Sequence, residues 1–294
     1  MSSAGIVAAA VTGSGGRSVN ARAWAKLRRH RLGMTGLVLL GLVVLAAVLA
    51  PLIAPYDPTE VHYEALMVPP SAEFWLGTDE IGRDILSRLI YGARVSLEVV
   101  MVSILAALVV GSAIGLVSGY AGGRVDSVVM RIMDGLLAFP LLVLALGIIA
   151  VLGPSLINAT IAIAVVNVPG FARLVRGQVL VVRELDFVQA ARSLGAGHLR
   201  IMLKHIWPNV AGNVIVYASL RASSALITES SLAFLGLGAE PPTPSWGQML
   251  ATAMEYWDAW WMSVFAGLAI FIAALAFNFL GDGLRDALDA RIDD

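Results

Sequence analysis

Long runs without charge limit what this chain can fold into. None occurs from Leu32 to Ile53, from Val99 to Gly123 or from Gly135 to Ala172. A helix crossing a bilayer needs roughly 20 apolar residues, so each of the first two runs predicts one crossing. The third is long enough for two, and Gly153-Pro154 marks where it folds back, giving spans near 135–152 and 155–172. Two more are read at about Val210 to Leu237 and Ala259 to Leu280. The expectation is an all-α integral membrane protein of six spans. Composition agrees, since 58% of the 294 residues are apolar and 14% charged. A mean hydropathy of +0.81 is too high for a soluble domain of this size.

Charge distribution predicts orientation. Six basic residues (Arg17, Arg22, Lys26, Arg28, Arg29, Arg31) precede the first span and six (Arg173, Arg176, Arg183, Arg192, Arg200, Lys204) lie between spans four and five. The positive-inside rule then puts both termini and the loop before span five in the cytoplasm. A net charge of -1 offers nothing to attract nucleic acid. With no cysteine, disulfides and thiolate metal sites are excluded. Residues 1–31 read as a disordered, basic cytoplasmic segment and 32–55 as the first span. Next come an extracytoplasmic loop at 56–94, a core at 95–285 and a cytoplasmic tail at 286–294.

Within the loop, Gly77 to Leu89 reads as an amphipathic helix capped by Thr78, with Ile81, Ile85 and Leu89 on one face and an Asp84–Arg88 pair. Such a helix would brace the second span on the outer membrane surface or contact an external partner or cargo. At the cytoplasmic end of span three, Arg131 and Asp134 read as a local pair.

The most unusual stretch is 178–209, polar and basic among apolar neighbours. Asp186 reads as the cap of a short helix and Gln189 as its capping-box partner. Phe187, Ala190, Ala191 and Leu194 supply one apolar face, and Gly195 the left-handed end. A second amphipathic segment (Leu199, Met202, Leu203, Ile206) is expected to stop at Pro208. Two short helices with a small-residue surface predict a docking site.

Inside the spans, only Arg221 and Glu229 are ionisable, and each would cost at least ~2.5 kcal/mol in hydrocarbon. Tyr217, Arg221, Ser224, Thr228 and Ser231 recur at helical spacing. They read either as one wall of a hydrophilic pathway or as polar packing against a neighbouring helix. The sequence lacks a phosphate-binding loop, its four histidines have no metal-ligand spacing, and it has no nucleophile elbow. It predicts a non-catalytic chain that would need another polypeptide to hydrolyse ATP.

Asp186-Phe187-Val188-Gln189-Ala190-Ala191-Arg192-Ser193-Leu194-Gly195-Ala196, followed by Ile206-Trp207-Pro208-Asn209, resembles the EAA motif of ABC importer permeases. Leu76 to Asp79 with Gly82-Arg83-Asp84 and Tyr91 to Arg94 is similar to the C-type dipeptide and oligopeptide permeases. So are Glu229 to Gly238 with Pro244-Ser245-Trp246-Gly247, and Asn278 to Asp289. Gln189 stands in place of the motif's Glu, and Ala266 and Ala290 replace expected prolines, which predicts a straighter start to span six and a looser tail.

The resemblance implies a MetI-like type I importer core with cytoplasmic coupling helices, ATPase coupling through Asp186, Phe187, Gln189, Ala190, Ala191, Leu194 and Gly195, and a peptide cargo. A nickel chelate or another solute is the alternative, and a self-sufficient secondary transporter or a membrane scaffold are rivals of other classes. Implied partners are a homologous second permease, two ATP-binding subunits or domains carrying ATP and Mg, and an extracytoplasmic peptide-binding protein. No cofactor is expected on this chain.

Overall fold

The computed structural model describes residues 19–288; of the segment 1–31 expected to be disordered, Val19–Arg29 instead forms a helix, while residues 1–18 and Ala290 lie outside the described residues. In chain order the helices are α1 (Val19–Arg29), α2 (Arg31–Val48), α3 (Ala50–Ile53), α4 (Ile85–Ala121), α5 (Gly123–Leu137), α6 (Leu141–Leu152) and α7 (Leu156–Val182). Next come α8 (Asp186–Ser193), α9 (His198–Arg200), a π-turn (Ile201–Ile206), α10 (Trp207–Phe234), α11 (Trp246–Ala253) and α12 (Trp260–Leu288). Among the described residues, five helices are long and apolar enough to cross a membrane: α2, α4, α7, the run from His198 to Phe234, and α12. The α5–α6 pair, bent by 93°, passes the same test as a broken helix and brings the candidates to six when counted as one span. The protein is therefore a multi-pass, all-helical membrane protein.

Glycines set the closest packing. Gly111, Gly115 and Gly119 form a stripe on α4 against α7. A Cβ built on Gly111 would sit 2.6 Å from Phe171 Cβ, one on Gly119 2.9 Å from Val179 Cβ, and one on Gly115 would collide with the Ala172 carbonyl. Small residues at every fourth position let two membrane helices approach to backbone contact, where dispersion and weak polar contacts replace the hydrophobic effect. Gly33 on α2 and Gly283 on α12 repeat the device. His30 locks that junction: its Nδ1 accepts from the Gly33 N–H at 2.9 Å, and its Nε2 lies 3.0 Å from Asp286.

Several expectations change. The loop helix at 77–89 does not form, because Gly77 and Gly82 have φ of 81° and 86° and break any helical run. Thr78 is buried, donating to the Ala65 carbonyl (2.5 Å) and accepting from the Val68 N–H (2.8 Å). The helix starts at Ile85, capped by Asp84, which accepts from the Ser87 N–H at 2.8 Å. It then continues as the second span through residues 94 and 95. Asp84 is thus not paired with Arg88, whose Nε lies 3.4 Å from Asp79.

Span three is two helices rather than one straight crossing at 135–152. Pro140 has no N–H and biases Phe139 away from helix, which produces the break. Asp134 turns from Arg131 to pair with Arg173 on α7. The segment after Gly197 does not stop at Pro208 but runs into span five. The π-turn bonds the Trp207 N–H to the Met202 carbonyl, loosening the ladder where Pro208 has no N–H to give. Ala266 is buried within α12, which runs unbroken from Trp260 to Leu288.

The loop is held by buried charge. Asp79 accepts from Arg83 Nε at 2.6 Å, and Glu80 from Arg83 Nη2 at 2.8 Å. Trp261 Nε1 donates to the Thr78 carbonyl at 3.1 Å, and Trp246 Nε1 to the Leu89 carbonyl at 2.9 Å. Burial, and then repulsion from Asp79, raise the Glu80 carboxyl above the ordinary 4.5. A raised acid holds its proton more tightly in the folded state, so its stabilising contribution is complete below pH 4.5 and declines as pH rises through the folded value. Glu80→Gln should flatten the pH dependence of the detergent-solubilised protein's melting temperature above pH 4.5. An unchanged slope in thermal melts across that range would count against this account.

Candidate functional site

The short helix α8 and its surroundings form a knuckle at the end of the bundle. Asp186, expected as the cap, is instead the first helical residue; Leu185 takes the N-cap position, and no side chain supplies a capping bond. Gln189 turns back to donate from Nε2 to the Arg183 carbonyl at 3.1 Å. The bond ties α8 to the end of α7 but is not the capping-box bond to the N-cap N–H. Gly195 fulfils its expectation with φ of 78°. The Gly195 N–H reaches the Arg192 carbonyl and the Ala196 N–H the Ala191 carbonyl, both at 3.0 Å. Together these form a Schellman end.

The expected apolar face of α8 divides in two. Val188 (0% exposed) and Ala191 (9%) face inward, joining Ile201 and Ile206 in the core. Phe187, Ala190 and Leu194 face outward, and Leu194 is 88% exposed. Leu185, Leu199 and Leu203 are exposed on the same segment. Large side chains this open, on a segment that also carries Arg192, Arg200 and Lys204, form an apolar patch with a basic rim.

Sequence reasoning missed the anchoring of the knuckle. Arg183 Nη1 donates to the Gly119 carbonyl at 2.7 Å, and the Tyr120 hydroxyl shares a 2.9 Å hydrogen bond with His198 Nδ1. Arg176 grips Asp126 with two bonds of 2.7 and 2.6 Å, and Ser118 donates to the same carboxylate at 2.6 Å. A bidentate guanidinium–carboxylate pair fixes direction as well as distance. These bonds tie together the ends of α4, α5, α7 and α9 around α8. The lone signal in the sequence was Arg176 lying beyond the apolar part of span four.

The second candidate region lies within the bundle. Arg221 Nε donates to the Tyr217 hydroxyl at 2.7 Å, with its guanidinium 4.9 Å from that ring's centroid. The Tyr217 ring meets Phe171 edge-on at 5.0 Å. Thr228 is buried and Ser224 exposed, while Ser231 is half-buried. Thr228 and Ser231 spend their hydroxyl protons on the Ser224 and Ile227 carbonyls of the same helix, at 2.9 and 2.7 Å. Tyr217 and Arg221 are thus bonded to each other, whereas the hydroxyls of Thr228 and Ser231 are bonded within their own helix. Glu229 is 3% exposed and accepts from Ser230 Oγ at 3.3 Å.

Residues 111–294 match the family described as binding-protein-dependent transport system inner membrane component. Residues 18–70 match the N-terminal TM domain of oligopeptide transport permease C. The di/tripeptide transport system permease protein of Pseudomonas aeruginosa is 46% identical over 92% of this chain and 91% of its own length. The dipeptide transport system permease protein of Alkalihalophilus pseudofirmus is 44% identical over 92% and 89%. A glutathione transport system permease protein of Escherichia coli is also 44% identical, over the same two shares. The chain belongs to the family of binding-protein-dependent transport system inner membrane components, as an ABC transporter permease subunit.

Proposed function

We propose that this chain forms half of the translocation pathway of an ATP-driven peptide importer, and that α8 is the handle by which ATPase subunits work it. The exposed Phe187–Leu194 patch carries this reading: it is apolar, outside the spans, and wired into four helices. Di- and tripeptides and glutathione are what the similar permeases are named for, which supports peptides as cargo. A homologous second permease completes the pathway, two ATP-binding subunits or domains hold ATP and Mg, and an extracytoplasmic peptide-binding protein delivers cargo. The N and C termini and the knuckle are cytoplasmic, in keeping with the basic residues there.

Closure of the ATPase pair around nucleotide would shift the cleft holding Phe187 and Leu194. The Arg183–Gly119 and Arg176–Asp126 bonds would then transmit that shift as rigid rotation of α4 and α7, the domain movement of alternating access. Reconstitution of both permeases with the ATPases in liposomes, with binding protein, tests the reading. ATP hydrolysis should rise when a dipeptide is added. Hydrolysis indifferent to peptide, or a purified chain that retains no ATPase partner, would overturn it.

A further inference from the structure

The α5–α6 break opens a cavity of about 50 Å³ between α5, α6, α7 and α10, lined by Leu137, Phe139, Leu141, Asn167, Gly170 and Arg221 among others. This is several times the ~10–15 Å³ that one water requires on that scale. Its Arg221 lies roughly 20 Å along α10 from Trp207 at ~1.5 Å per residue, and Phe139 in its lining is 58% exposed, so it opens to the surface of the bundle. Three features of opposite hydrogen-bonding sense converge on it. The Arg221 guanidinium engages Tyr217 through Nε alone, leaving both terminal amino groups to donate. The first turn of α6 begins at Leu141, so that helix presents unbonded backbone N–H groups and its positive end to the cavity it lines. Asn167 is 4% exposed, and its Nδ2 donates to the Ile163 carbonyl at 2.8 Å, which fixes the amide orientation. Its Oδ1 is then a buried acceptor without a donor, an unfavourable state that an N–H from a ligand would relieve.

An anion alone would satisfy Arg221 and the helix end but not Asn167. A carboxylate with an amide N–H close by satisfies all three, and the C-terminal residue of any peptide presents that pair. We infer that this cavity is a subsite of the pathway that binds the C-terminal carboxylate and adjacent amide of the passing peptide. Arg221 and the start of α6 take the carboxylate, and Asn167 takes the N–H. Gly170 makes room for the Tyr217 hydroxyl, which a Cβ there would meet at 2.5 Å. The inference rests on the peptide-importer reading and adds to it a binding step within the membrane.

Equilibrium binding of radiolabelled dialanine and dialanine amide to the complete transporter in nanodiscs, without binding protein or nucleotide, tests it. The acid should bind saturably and about tenfold or more tighter than the amide. Arg221→Gln should remove that preference, and Arg221→Lys should restore part of it. Equal binding of acid and amide by the unsubstituted transporter overturns the subsite without reference to any variant. So does an Arg221→Gln transporter that keeps the preference, which is the result expected if Arg221 only pairs with the second permease. Dialanine uptake by the same preparation, with binding protein and ATP, separates the two readings. Uptake without an acid preference defeats the subsite alone, whereas absence of uptake defeats the importer.

Discussion

Gly115→Val should prevent the folded protein from accumulating in the membrane. A Cβ at this position collides with the Ala172 carbonyl and lies 2.9 Å from Val175 Cβ and 3.0 Å from the Arg176 N. Two of those three contacts are backbone atoms, so no rotamer change relieves them, and α4 must separate from α7 along the whole Gly111–Gly119 stripe. Overpacking a core costs about 1–3 kcal/mol when side chains can yield, and here the cost should reach or exceed the top of that range. Separation would also pull Asp126, which accepts from Ser118 on α4, away from Arg176, whose two bonds to it are 2.7 and 2.6 Å long. The check is the yield of monodisperse protein after detergent extraction and its melting temperature. Gly147→Val is the control, since nothing lies within 4 Å of a Cβ there, and it should extract like the parent. Equal yields from both variants would refute the packing account.

Gly195→Val should abolish ATP-driven uptake while leaving the chain in the membrane in normal amount. The residue sits at φ of 78° with open space around its Cβ, so the penalty is conformational rather than steric crowding. A β-branched residue in that region is strained by about 1–3 kcal/mol, and α8 has only eight residues with which to resist it. Relief means unwinding the Schellman end, which would release Leu194 and shift Phe187 out of register. The spans pack elsewhere and should not respond. Uptake in membrane vesicles and the amount of inserted protein are measured side by side. Uptake at the parental rate would show that the geometry of the knuckle does not matter.

Spans one, two, four and six were legible because hydrocarbon requires charge-free helical runs, and hydropathy reads such runs directly. Gly195 was legible for a similar reason: only a helix end explains a glycine after Leu194 in that pattern. What failed depended on tertiary partners. Thr78 looks like a cap in isolation, yet Gly82 breaks the helix and Thr78 spends its hydroxyl on Ala65. The Phe187–Leu194 face appeared uniform because helical spacing shows which residues share a side but not how neighbours divide it. Ala191 turned inward because Val188, Ile201 and Ile206 form a floor there. The Arg176–Asp126 bond joins residues 50 apart, a distance at which local spacing carries no information.

Crosslinking from Leu194 probes the central claim most directly. The chain has no cysteine, so Leu194→Cys provides the one attachment point on this subunit for a benzophenone maleimide, added before assembly with its partners. Leu194 is predicted to crosslink to an ATP-binding subunit, with a yield that changes when ATP is added. Crosslinking to the extracytoplasmic binding protein, or labelling by a membrane-impermeant reagent from outside intact cells, would contradict the account.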